Sequence, residues 1–205
     1  SANGNIDAGV TFDVICGAEA RTHWYVATTG SDASGIGTLA SPLATIQTGI
    51  NATTEDDTVS VAAGTYVENV LLDNPDGGPY KSINVIGENK NTTIIDGNQN
   101  GSAFRIFRNS NLLLENFTIQ NGYSGSSSNG GGIYIENGAS IKLQNCIIKD
   151  NTCTSLGGGY YSYGSSSVIE NCIFEGNTAE SGGGICLRAD IATQIRNCEF
   201  YDNIG

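Results

Sequence analysis

Apolar and polar residues alternate along this chain in short runs, cut by Gly, Asn and Ser, and the runs return in a fixed order. Residues 133–148 show one cycle: Ile-Tyr-Ile (133–135), a turn at 137–140, Ile-Lys-Leu (141–143), a turn at Asn145, then Cys-Ile-Ile (146–148). Alternation sends successive side chains to opposite faces of a strand. It predicts Ile133, Ile135, Ile141, Leu143, Cys146 and Ile148 inward, and Tyr134, Lys142, Gln144 and Ile147 outward. No sustained spacing of three and four residues is present, which excludes a helical bundle or coiled coil.

The cycle repeats. LENFTIQN (114–121), LQNCIIKDN (143–151), IENCIFEGN (169–177) and IRNCEFYDN (195–203) place Asn116, Asn145, Asn171 and Asn197 at intervals of 29, 26 and 26 residues. Glycine triplets recur between them, at 130–132, 157–159 and 182–184. Two motifs locked to one period of about 26 predict an all-β right-handed parallel β-helix of three sheets. Equivalent residues then stack about 4.8 Å apart. The inward ladders read Leu114/Leu143/Ile169/Ile195, Phe117/Cys146/Cys172/Cys198 and Ile119/Ile148/Phe174/Phe200. The four asparagines form a ladder at a bend, where their tolerance of the left-handed conformation is needed. Outward, Glu170 falls beside Arg196 and Lys149 beside Glu175, opposite charges that favour this register. Tyr134 with Tyr161, and Ile147 with Ile173, form outward apolar columns and are interface candidates.

The front of the chain departs from the pattern. Trp24–Val26 reads as a strand, 27–40 as a loop, and Ser41-Pro42 as a helix start, with Leu43, Ile46 and Ile50 on one face. The division is an arm (1–22), then one β-helix domain (23–205) made of a cap region (23–57, helix near 42–51) and rungs from 58 onward. The arm carries AGVTFDVI (8–15), whose Val10, Phe12 and Val14 are further interface candidates. The last residues, Asp202 to Gly205, stop inside a repeat. That leaves two expectations, an excerpt of a longer surface protein or an end completed by another subunit.

Composition narrows the function. With 9 Lys+Arg against 21 Asp+Glu the formal net charge is -12, which excludes a nucleic-acid footprint. No apolar run approaches the roughly 18 residues of a membrane span. His23 is the only histidine, which speaks against triad catalysis and a His-containing zinc site. Asp56-Asp57, the adjacent acidic pair, reads as a surface run. Of six cysteines, three belong to an inward ladder; Cys16, Cys153 and Cys186 do not, and are disulfide candidates with Cys16 as a clamp for the arm.

The motifs at the front carry a resemblance. Gly30-Ser31-Asp32, Gly37-Thr38 through Pro42 to Thr45-Ile46-Gln47, and Val61 through Gly64-Thr65-Tyr66 resemble the opening of secreted β-helix proteins of the pectin-lyase-like superfamily. The later repeats resemble the GGA[IVL]/FxxN repeats of chlamydial polymorphic outer-membrane proteins: Phe174–Asn177 and Phe200–Asn203 match FxxN, and Ile148–Asn151 matches with Ile for Phe. The resemblance implies a fold that hosts lyases, hydrolases, adhesins and inert scaffolds alike. Its lyases use carboxylates that bind Ca²⁺ with an Arg or Lys base on an outer sheet. The catalytic candidates on that model are Arg105 and Arg108 with Asp96 and Glu115. By register they do not gather into one cluster, so the main expectation is not an enzyme. It is an extracellular or cell-surface structural or adhesive β-helix without a cofactor, its partners copies of itself or a host or cell-surface glycan or protein. The alternative is a carbohydrate-active enzyme of this fold, a polysaccharide lyase before a hydrolase and the one reading that calls for Ca²⁺, or a noncatalytic glycan-binding module.

Overall fold

The structure is a computed structural model that describes residues 22–73, 81–108, 110–125, 129–189 and 192–205. Every pairing between its strands is parallel, and three sheets wind into a right-handed coil. Sheet I has seven strands, His23–Val26, Thr58–Val61, Lys81–Gly87, Ser110–Glu115, Ser140–Gln144, Ser166–Glu170 and Gln194–Arg196. Sheet II has six, Gly64–Val67, Thr93–Asp96, Thr118–Gln120, Ile147–Lys149, Ile173–Glu175 and Glu199–Tyr201. Sheet III has five, Val70–Leu72, Phe104–Ile106, Ile133–Glu136, Tyr160–Tyr163 and Ile185–Arg188. Tyr123–Ser124 and Thr152–Cys153 add a two-stranded ribbon in the long loops between sheets II and III.

The register is the one the repeats predict. Leu114, Leu143, Ile169 and Ile195 are neighbours in sheet I, and Ile119, Ile148, Phe174 and Phe200 in sheet II. All six predicted inward residues of 133–148 are at most 2 % exposed. The rings of Phe174 and Phe200 stack 5.1 Å apart. The core is thus one continuous column with the sheets as walls.

Each corner has its own chemistry. Between sheets I and II, Asn116, Asn145, Asn171 and Asn197 all adopt positive φ, between 51° and 64°. Asn145 Nδ2 donates to Asn116 Oδ1 at 2.7 Å. Between sheets II and III a second asparagine ladder lies inside the core. Asn151 Nδ2 donates to Asn177 Oδ1 at 3.0 Å and Asn177 Nδ2 to Asn203 Oδ1 at 2.9 Å. The glycine triplets follow, hydrogen-bonded rung to rung, as in Gly132 N–H to the Gly158 carbonyl at 2.9 Å. A Cβ on Gly132 would sit 2.5 Å from the Gly159 carbonyl oxygen, so this position takes only glycine.

Four expectations meet the structure with different outcomes. The helix is Ile46–Ala52, capped by Thr45, and does not start at Ser41. The segment before it is claimed by the sheet edge: Leu43 N–H bonds the Tyr25 carbonyl, and Ala27 N–H the Leu43 carbonyl, both at 2.9 Å. Secondly, both charge columns fall in the expected register: Arg196 and Glu170 form an ion pair at 2.9 Å, and Lys149 lies beside Glu175 on the next strand while its ammonium comes to 3.8 Å from Asp150. Thirdly, the five described cysteines stand as thiols, which overturns the disulfide expectation. Cys153 lies in the ribbon and Cys186 in sheet III, so no shared strand pair presents them to each other. Cys16, like Val10, Phe12 and Val14, lies outside the described residues. Finally, Asp57 is no surface acid: it is 1 % exposed and accepts from Thr54 N–H at 2.7 Å and Trp24 Nε1–H at 3.2 Å.

Candidate functional site

The outer face of sheet III carries a column of aromatic and cationic groups. Alternation places it there: Phe104 and Ile106, Ile133 and Ile135, and Tyr160 point into the core, so Arg105, Tyr134 and Tyr161 point out. Register stacks them in one row, Leu71, Arg105, Tyr134, Tyr161, Cys186. The adjoining row is Glu136, Tyr163, Arg188.

The contacts run continuously along this face. The Arg105 guanidinium lies 4.8 Å over the Phe107 ring and 5.9 Å from the Tyr134 ring centre, a cation–π arrangement. Phe107 packs tilted against Tyr134 at 5.5 Å, and Tyr134 stacks on Tyr161 at 5.4 Å. The Tyr134 hydroxyl donates to Glu136, whose other oxygen accepts from Asn137 Nδ2 at 3.0 Å. Burial and this carboxylate push the Tyr134 hydroxyl well above the usual phenol range, with Arg105 opposing weakly. Tyr134 is therefore a fixed neutral donor. Tyr161 points outward yet is only 4 % exposed: Tyr134 stacks on it, and Gly157 lies so near that a Cβ there would meet Tyr161 Cβ at 2.8 Å.

Arg105 also lines a cavity of about 300 Å³ with Asn69, Leu71, Asn100, Ser102 and Tyr123. Its walls are fixed. Asn69 Nδ2 reaches the carbonyls of Gly97, Gly101 and Ser102 at 3.2 to 3.3 Å, and the Ser102 hydroxyl bonds the Gly130 carbonyl. An exposed guanidinium on the lining of a cavity, beside aromatic rings, can receive a carboxylate while the rings meet an apolar face.

The other sequence candidates are dispersed. Arg108 pairs with Asp73 at 3.4 Å at the end of a sheet III strand. Asp96 ends a sheet II strand and holds Gln120, Asn121 and the Asn98 N–H. Glu115 ends a sheet I strand. What the resemblance would join is spread over three sheets, and of the four candidates only Arg105 lines the cavity. Ile147 and Ile173 are half-buried on sheet II, so they share no surface strip with Tyr134 and Tyr161. Among the described residues, no group of three or more His, Cys, Asp and Glu could hold a metal ion. Arg188 and Glu136 are among the basic and acidic residues the sequence offers for a lyase-type site, whereas Phe107 and Tyr123 are not. The signal for Phe107 lay in Arg-Ile-Phe (105–107), where alternation puts Arg105 and Phe107 on the same side.

Residues 49–205 match the family model described as a right-handed beta helix region. The chain belongs to that family. A solved rhamnogalacturonan lyase superposes on this β-helix with a TM-score of 0.56 at 18% identity, over 88% of this chain and 56% of the lyase chain. The β-helix thus spans little more than half of that lyase, and at this identity the likeness is one of fold. None of the curated proteins matches the chain.

Proposed function

We propose that this β-helix is an extracellular or cell-surface carbohydrate-active domain that holds an acidic polysaccharide along the outer face of sheet III. The observation that carries the reading is Arg105, which lines a cavity and is continuous with the Phe107–Tyr134–Tyr161 column. A uronate carboxylate suits the planar guanidinium fork, and the rings suit the apolar faces of the sugars. Arg188 supplies a second cation three strands along the same sheet. The likeness to a rhamnogalacturonan lyase supports a uronate-bearing polymer as the ligand and eliminative cleavage as the stricter form of the proposal. A noncatalytic or adhesive role for the same face is the second reading. It is favoured by Glu136, which Tyr134 and Asn137 already occupy on the face that holds Arg105.

Titration of the intact chain with rhamnogalacturonan oligosaccharides and with a neutral glycan, with ultraviolet detection of unsaturated product, tests both. Binding of the acidic ligand is expected to fall about tenfold or more in Arg105→Ala, a loss of roughly 1.4 kcal/mol or greater. Equal binding by wild type and Arg105→Ala would refute the groove. Binding without product would favour the noncatalytic reading.

A further inference from the structure

A second cavity, of about 340 Å³, lies on sheet I at the N-terminal end of the coil. Its floor is two outward rows, Tyr25–Ser60–Ile86 and the residues just beyond the strands, Ala27, Ala62 and Glu88. Small side chains at Ala27, Ser60 and Ala62 leave a hollow between Tyr25 and Ile86. Leu39 and Pro42 wall it from the front loop, which Tyr25 N–H holds through the Gly37 carbonyl at 3.0 Å. The Tyr25 ring is braced by His23, stacked at 4.7 Å and itself bonded to Ser60 Oγ at 2.7 Å.

The lining is apolar except for Ser60, the Tyr25 hydroxyl and one charge. That charge is Glu88, which accepts the Ala63 N–H with one oxygen at 3.0 Å and has its other oxygen without a partner among the described residues. Among the described residues, no Lys or Arg lines the cavity. Volume and lining match the small end of ligand pockets, about 300–1,000 Å³ and mostly apolar with few placed polar groups. A sugar would leave most of its hydroxyls unpaired here, and an anion would meet Glu88 in a chain of net charge -12.

We propose that this cavity binds a small organic amine, its flat or branched hydrocarbon body against Tyr25, Leu39, Pro42 and Ile86 and its ammonium at Glu88. The site lies on a different sheet from the Arg105 groove, so either proposal can fail without the other.

Benzylamine, benzyl alcohol and benzoate, titrated into the full chain by calorimetry, share one ring and differ in charge. Benzylamine is expected to bind at least about threefold more tightly than the alcohol, the scale of an exposed ion pair, and benzoate not at all. Glu88→Gln should bring amine and alcohol level, since its amide oxygen still accepts the Ala63 N–H. Ala62→Leu, which fills the hollow from the outer face, should abolish binding of both. A wild-type chain that shows no preference for the amine, or undiminished binding in Ala62→Leu, overturns the proposal; the first comparison needs no variant to fold.

Discussion

Asn177 is completely buried and bonded on every side. It accepts from the Asn151 N–H at 3.1 Å and from Asn151 Nδ2 at 3.0 Å, and donates to the Ile148 carbonyl and to Asn203 Oδ1, both at 2.9 Å. Asn145 does different work: it takes φ 51° at an open corner, where backbone freedom matters more than its amide. The same substitution therefore separates them. Asn145→Gly should change stability by only a few tenths of a kcal/mol, since glycine adopts that conformation freely. Asn177→Gly should destabilise by several kcal/mol, because each buried partner left unpaired costs about 1–3 kcal/mol. Urea unfolding of the two variants checks this; equal losses would refute it. Phe174 tests the core in the same way. It is wholly buried against Phe200, and Phe174→Ala should lose about 3–5 kcal/mol. The corner asparagines were legible because they sit in register between alternating runs. The buried ladder was not, although Asn151, Asn177 and Asn203 end the FxxN motif. Letters at the mouth of a long loop do not show that the chain turns them inward.

At the scale of elements, the seven-residue helix depends on partners far from it in sequence. Asp32 accepts from the Ala44 and Thr45 N–H groups at 2.7 and 3.1 Å, while Glu68 takes those of Ile46 and Gln47 at 2.9 and 3.0 Å. Their protonation pulls stability in opposite directions. Burial alone would raise the Asp32 carboxyl, but the bonds from Thr45 and Ala44 outweigh it and hold it below its ordinary 3.8. Asp96 is likewise lowered from 3.8, by Gln120, Asn98 and Asn121 against burial. A lowered carboxyl gives stability that is present above the unfolded value and lost as pH falls through the folded one. Glu68 is raised from 4.5, chiefly by burial, so its contribution is fullest below 4.5 and is lost as pH rises. Acid destabilisation between about pH 5 and pH 2 should therefore be steeper in Glu68→Gln and shallower in Asp32→Asn than in wild type. Urea midpoints across that range give the comparison, and a reversed order would contradict it. The sequence misplaces this helix start because Ser41-Pro42 has the right local chemistry and loses to the sheet edge. It also hides the rung at 104–106, where Gly101-Ser102-Ala103 replaces the glycine triplet. That is why the resemblance points to Arg105 and alternation to Tyr134 and Tyr161, and nothing in the sequence joins them.

The whole molecule has no centre in the usual sense. Each rung touches the ones above and below it, and the same ladder of Leu, Ile, Cys, Phe and Asn runs from one to the next. The backbone bonds of a glycine triplet on one rung are completed by the triplet of the next. A copy of residues 152–177, one full period, inserted after Asn177 should then fold as an added rung, lengthen the coil by about 4.8 Å and raise the melting temperature. An insertion one residue longer turns every following side chain to the wrong face and should unfold the C-terminal rungs. Small-angle scattering and thermal melts distinguish the two; a destabilised full-period variant would show that the rungs are not interchangeable. Stacking in register thus makes the molecule a graduated ruler. Its reach changes only in whole steps of about 4.8 Å, and any row of side chains on an outer sheet inherits that graduation. A polymer lying along such a row is measured in units the core has already set, so selection can extend the measuring edge by copying repeats without redesigning the interior.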